Sequence, residues 1–257
     1  MVTLMGAPAN HGIQFEITQA GATVRIPAHV NHVCCGSLCT SLCAGDAVVH
    51  TVEHLLATMY ALGITNLLIK VDGTEIPMGD GSAHTWTKLL KPLVQSQHKP
   101  APCIQITQPI RVGDSHVWCE LSPSSKYELE YDLHFEHPLL RDQHVYVDVN
   151  PQSFVENLSW ARTFGFYEQL QGLQQQNKSW GASLDNVLVF DTQGVMNPGG
   201  MRSMDEACRH KIVDVLGDLS LMGVRIQGRF RGHHSGHALN HELARTVLNS
   251  PQCWRWV

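Results

Sequence analysis

Apolar positions change period along this chain, and they do so twice in the same order. Residues 13–18 and 23–27 place apolar side chains at short spacing, which predicts strands. From 50 to 62 the period lengthens, with Leu55, Leu56, Met59 and Leu62 recurring as on one face of a helix. Gly63 follows, where a glycine tolerates the left-handed backbone that ends many helices. An apolar run at 66–71 predicts a buried strand, Asp72-Gly73 a turn, and Ser82 the cap of a helix reaching Val94.

The second half repeats the plan. Strand-like runs at 104–112, 116–121, 127–135 and 145–149 precede a helix over 207–222, Gly223, a strand over 224–230 and a helix over 235–248. The stretch between, 163–205, carries an extra helix, an apolar strand at 186–190 and a glycine-rich loop, and reads as an insertion. The polar, proline-bearing segment SQHKPAP at 96–102 marks a boundary. Strands first and helices second in each half predict an α+β fold of two similar domains. The first spans 1–99, and the second spans 103–257 with an insertion at about 164–205.

Composition narrows the class. With 257 residues, 43% hydrophobic and 16% charged, the chain can bury a large core and is not a disordered protein. Its net charge of −5 and lack of a basic run predict no nucleic-acid partner and no polybasic membrane patch. No apolar stretch approaches the ~20 residues of a transmembrane segment, and the N-terminus lacks the pattern of a signal peptide. A cytoplasmic location is expected. Cys34, Cys35, Cys39 and Cys43 crowd one segment, while Cys103, Cys119, Cys208 and Cys253 are scattered. No C-x-x-C pair occurs, so reduced and mostly buried thiols are expected rather than disulfides or a structural zinc site.

Sixteen histidines invite a metal reading. In Arg209–Asp218 (RHKIVDVLGD), His210, Asp214 and Asp218 fall at i, i+4 and i+8 on one helix face. A His and an Asp one turn apart can share a metal ion, although a hydrogen-bonded core histidine beside solvated acids is the simpler reading of this motif taken alone. His50-Thr51-Val52-Glu53-His54 sets a glutamate beside a histidine on the corresponding helix of the first half. A metal between the halves would take His54, His210 and Asp214 and leave one open position, the arrangement of catalytic zinc. Glu53 could then accept a proton from water. Taken literally, HTVEH also matches the H-x-x-E-H peptidase pattern, with His50 and His54 as ligands. A chance histidine pair and a two-histidine, one-carboxylate iron site remain open as well. In Gly232–Asn240 (GHHSGHALN), His237 falls near a helix start and could act as an acid, or belong to a polar surface turn.

Six segments taken together resolve this ambiguity: TVEHLLA, EIPMGDGSA (75–83), ARTFGF (161–166), SLDNV (183–187), RHKIVDVLGDL (209–219) and SGHALN (235–240). In this order and spacing the chain closely resembles the UDP-3-O-acyl-N-acetylglucosamine deacetylases, from about Ala7 to about Trp256. The resemblance implies two α+β domains whose helices are sandwiched between two sheets, with the metal in the cleft and the insertion forming an acyl-chain passage. It implies zinc on His54, His210 and Asp214, while the donor set itself leaves ferrous iron open. Glu53 is then the general base, His237 the charged histidine or general acid, and Asp218 the carboxylate that supports it. Thr163 helps hold the tetrahedral oxyanion, and Phe164 and Lys211 line the substrate site. The implied reaction removes acetate from a UDP-linked, 3-O-acylated N-acetylglucosamine, a small-molecule substrate of lipid A and lipopolysaccharide synthesis in Gram-negative bacteria, carried out by a monomer.

Three positions depart from the family pattern. The G-x-G-x-H-x-G-like turn expected near the N-terminus has no counterpart after Met1, so the first strands of the domain are expected to be missing. His234 stands where a lysine near the diphosphate is expected, and His50 where a serine is usual. An H-x-x-E-H peptidase and a degenerate relative that binds nucleotide sugar without catalysis are the remaining alternatives.

Overall fold

The first sheet is built on alternation: Phe15 and Ile17 point into the core while Glu16, between them, pairs with Arg25 and Lys70. The structure is a computed structural model that describes residues 1–19, 21–34, 38–175 and 183–257. Strands β1 (Val2–Gly6), β2 (Ile13–Gln19) and β3 (Ala22–Pro27) belong to a four-stranded sheet of order β1-β7-β2-β3. Short strands β4 (Val33–Cys34), β5 (Ser41–Ala44) and β6 (Ala47–Val49) form a separate antiparallel sheet. Helix α1 (Glu53–Ala61) ends at Gly63 (φ 76°), β7 (Leu67–Val71) returns parallel to β2, and α2 (His84–Leu90) follows.

The second half gives β8 (Cys103–Ile106), β9 (Ile110–Gly113), β10 (Trp118–Ser122), β11 (Tyr127–Leu133) and β12 (Gln143–Asp148), then α3 (Pro151–Asn157). The insertion contributes β13 (Phe164–Phe166), α4 (Tyr167–Gln175) and β14 (Leu188–Phe190), with β13 and β14 paired in parallel. Helix α5 (Glu206–Ser220), Gly223 (φ 72°), β15 (Arg225–His233), α6 (His237–Leu248) and β16 (Trp254–Trp256) complete the described elements. The larger sheet runs β12-β11-β15-β10-β9, with β8 beside β15 and β16 beside β8. β15 pairs in parallel with β11 just as β7 does with β2, so helix, glycine and parallel strand recur in both halves.

One apolar core continues from Phe15 and Ile69 of the smaller sheet through Leu55 and Met59 of α1 and Val213 and Leu216 of α5. It ends on Leu129 and Tyr131 of the larger sheet. The helices thus lie between two sheets, as an α+β fold of two such domains requires. Gly217 controls how closely α1 and α5 meet: a Cβ there would stand 2.2 Å from the backbone oxygen of Glu53. The missing side chain is what brings the start of α1 against the middle of α5. No helix among the described residues is long and apolar enough to cross a membrane.

Several boundaries differ from the periodicity. The helix expected from 50 begins at Glu53, because Thr51 adopts a left-handed φ of 60° and His50 sits in a β-bridge with Glu75. Ser82 lies one residue before the actual cap, Ala83, although its Oγ accepts from the His84 N–H at 3.1 Å. The single strand expected over 104–112 is two, β8 and β9, separated at Pro109, which has no N–H to give a ladder. The cysteines are less buried than expected: Cys119 and Cys208 are buried, but Cys39, Cys43, Cys103 and Cys253 are half-buried thiols. Cys35 and the start of the glycine-rich loop at 181 lie outside the described residues.

Candidate metal centre and active site

His54 stands in the first turn of α1, and His210 and Asp214 one turn apart on α5. All three are buried, and one ligand atom from each falls within 4.8 Å of the others. Nε2 of His54 and Nε2 of His210 lie 3.7 and 3.2 Å from Oδ1 of Asp214. The two rings meet edge to face with centroids 4.8 Å apart. Nδ1 of His210 is 3.0 Å from the Ala161 carbonyl. It must donate there, so Nε2 is the ring nitrogen turned toward Asp214 and His54, the one a metal would take.

The ARTFGF segment owes its position to a buried ion pair. Arg162 bonds both carboxylate oxygens of Glu206, at 2.8 and 3.1 Å, and the Gly200 carbonyl at 2.7 Å. This clamp holds the Ala161 carbonyl against His210. Thr163, two residues on, donates its N–H to Gly81 O at 2.8 Å and accepts from Leu188 N. The turn at Gly81 is built for that approach, since φ is +82° and a Cβ would come within 1.9 Å of Asn186 O. Phe164 packs its ring on Phe135 and Phe190, and Phe135 also meets Phe166. The apolar run 187–190 is fully covered, so it makes the floor under these half-buried rings rather than an exposed wall.

Charge is arranged around the triad. Burial alone would raise the Asp214 carboxyl, but His210, Lys211 and His54 outweigh it and hold the group well below its ordinary range. Lys211 Nζ bonds Asp214 Oδ2 at 3.0 Å, so its ammonium is engaged by the candidate ligand itself. Glu53 is buried beside His54, its Oε2 accepting from Thr40 N at 3.0 Å. Burial pushes its carboxyl up from the usual range, against the pull of His237 and His54.

His237 opens α6 and faces Asp218, with Nδ1 and Oδ2 2.9 Å apart. Burial would lower the imidazole pKa, but Asp218, then Asp214 and Glu53, raise it to about 9. His237 is therefore a cation at neutral pH. Burial opposes ionisation of Asp218, yet His237 and His241 keep its pKa far below normal. Thr40, Asn240 and His241 complete this cluster and were not legible as site residues. Asn240 and His241 follow His237 by three and four positions, a helical spacing that could have pointed to them. Thr40 lies in a segment with no periodic signal.

His50, the other histidine of HTVEH, is apart from the triad. Its Nδ1 lies 2.8 Å from Ser41 Oγ, and the β-bridge and turn before α1 take it off the helix face that carries His54. The i, i+4 ligand pair of the peptidase pattern therefore does not form.

Residues 1–249 match the family model described as UDP-3-O-acyl N-acetylglycosamine deacetylase. The chain belongs to this family. Proteins named UDP-3-O-acyl-N-acetylglucosamine deacetylase from Idiomarina loihiensis and Pasteurella multocida are similar to it. They are 39% and 40% identical over 260 residues, covering 100% of this chain and 85% of each relative. The protein of that name from Shewanella pealeana is 39% identical over 255 residues, covering 98% of the chain and 83% of the relative.

Proposed function

We propose that the chain is a metal-dependent hydrolase that removes acetate from the 2-acetamido group of a UDP-linked, 3-O-acylated N-acetylglucosamine, an early step of lipid A synthesis in the cytoplasm. The observation that carries this reading is the convergence of His54, His210 and Asp214 beside a buried Glu53 and a cationic His237. Two imidazoles and one carboxylate suit zinc, and ferrous iron also accepts this donor set. A divalent ion held there supplies Lewis acidity toward an amide carbonyl and makes water easier to deprotonate.

The remaining work falls to the chain. Glu53 takes a proton as water adds to the carbonyl carbon, a role suited by a carboxyl whose pKa burial has raised. His237 stays protonated opposite Asp218, so its Nε2 proton is available to the departing amine when the C–N bond breaks. Thr163, beside the segment that holds His210, offers a hydroxyl to the developing oxyanion. The rings of Phe135, Phe164 and Phe166 form the apolar surface on which an acyl chain would lie. The protein acts as a monomer on this small substrate.

The test separates metal binding from catalysis. Alanine at His54, His210 or Asp214 should sharply lower bound metal, whereas His50→Ala should leave about one ion per chain. Glu53→Gln should keep the metal and lose most acetate release. Full turnover by Glu53→Gln, or loss of metal from His50→Ala alone, would contradict the proposal.

A further inference from the structure

Asp218 is gripped by more groups than a simple histidine–carboxylate pair needs. Oδ2 meets His237 Nδ1 and Asn240 Nδ2, each at 2.9 Å. Oδ1 meets Thr40 Oγ1 at 2.5 Å and His241 Nε2 at 3.1 Å. An ionised carboxylate can only accept, so all four partners donate and Nε2 of His241 must carry a proton. Because the Thr40 hydroxyl gives its proton to Asp218, its lone pairs face His241 Nε2 at 3.1 Å and His237 Nδ1 at 3.3 Å. His241 is 4% exposed, and its ring runs nearly parallel to that of His237, 23° apart in plane and 6.3 Å between centroids. One helical turn of α6 thus points two imidazoles at opposite oxygens of one carboxylate.

We propose that His241 is a positioning residue, which fixes the Asp218 carboxylate and thereby sets how tightly His237 holds its proton. A proton donated to Oδ1 drains charge from the oxygen pair that His237 faces. If His241 is itself charged, like-charge repulsion acts in the same direction, so the sign is the same in either form. The groups facing His237 are Glu53 from α1, Asp214 and Asp218 from α5, and His241 from α6. Lys211 and Cys119 of β10 approach the same carboxylates from the other sides. Among these, the three carboxylates strengthen the His237 proton and His241 weakens it. Its catalytic consequence rests on the deacetylase reading above, but the coupling between the two histidines does not.

The experiment is an NMR titration of ring nitrogens in the metal-loaded protein, with acetate release measured alongside. His241→Leu keeps bulk and removes the donor; His241→Gln returns an N–H near the place of Nε2. The leucine variant should raise the His237 midpoint by about half a pH unit or more. It should lower kcat roughly several-fold while leaving KM nearly unchanged. The glutamine variant should leave the midpoint close to that of the parent. An unmoved midpoint in His241→Leu, or an equal shift in both variants, would overturn the proposal. An unprotonated Nε2 on His241 in the parent protein would overturn it even if neither variant folds. Absence of acetate release with the predicted midpoints would contradict the deacetylase reading and leave the coupling standing.

Discussion

Replacing Gly217 by alanine sets two effects of opposite sign against each other. Gly217 lies inside α5, where alanine would ordinarily stabilise a helix by about 1 kcal/mol through lower backbone entropy in the unfolded chain. The added Cβ would meet the Glu53 carbonyl oxygen at 2.2 Å, its carbon at 2.8 Å and its Cα at 2.9 Å. These are main-chain atoms of α1 and cannot rotate away, so α1 and α5 must separate by about 1 Å to restore ordinary contact. Overpacking of this kind costs about 1–3 kcal/mol, which offsets or exceeds the propensity gain, so a net loss of up to about 2 kcal/mol is expected. Glu53 and His54 move with the backbone that is displaced, away from His210 and Asp214. A misplacement of about 1 Å can cost on the order of 100-fold in rate. Urea unfolding, metal content and acetate release of Gly217→Ala measure the three consequences. A variant as stable as the parent or more so, with full activity, would refute the idea that this glycine sets the catalytic spacing.

The charged pair makes stability depend on pH in a defined window. His237 is raised from 6.5 to about 9, so its contribution is complete below about pH 6.5 and is lost as pH rises through about 9. Asp218 is depressed, so its contribution is present above about pH 4 and is lost only in stronger acid. At 1.36 kcal/mol per unit the alkaline loss is of order 3 kcal/mol for the pair as a whole. Urea unfolding between pH 6 and pH 10 should show a decline that His237→Gln abolishes; an identical decline in that variant would contradict the assignment. Turnover should fall on the basic side as His237 discharges, and a profile unchanged in His237→Ala would place the proton elsewhere. Substrate lacking its 3-O-acyl chain should react far more slowly, because binding on the phenylalanine surface helps orient the amide. Equal rates for acylated and unacylated sugars would remove that surface from the mechanism.

Periodicity located the elements that bury one clear apolar face. Leu55, Leu56 and Met59 announced α1, and Ile212, Val213, Val215 and Leu216 announced α5, because the core selects those positions. Gly63 and Gly223 marked the matching helix ends, and through them the duplicated plan. Elements that bury few residues or are very short were not legible. In α3 only Phe154 is buried, and the helix start depends on the reciprocal bonds between Asn150 and Ser153. β4 to β6 are too short to establish a period, and β1 and β16 are strands whose residues are largely exposed. At the site, spacing along α5 placed His210, Asp214 and Asp218 on one face, but no local pattern could say that His54 approaches from another helix. That depends on Gly217, whose significance lies in what its absent side chain would strike. Thr40 depends on tertiary contact even more fully, as it joins Glu53 to Asp218 from a segment without repeating signal.

Every catalytic role proposed above depends on hydrolysis of the acetamido group of a UDP-linked, 3-O-acylated glucosamine with a metal held by His54, His210 and Asp214. Its most direct test follows acetate released from that substrate by the purified protein as isolated, after chelation, and after zinc is restored. Acetate and free amine are expected in equal amounts, with loss of turnover on chelation and recovery with about one zinc per chain. Undiminished release from protein shown to be free of metal, or no release from protein carrying one zinc, would contradict this mechanism.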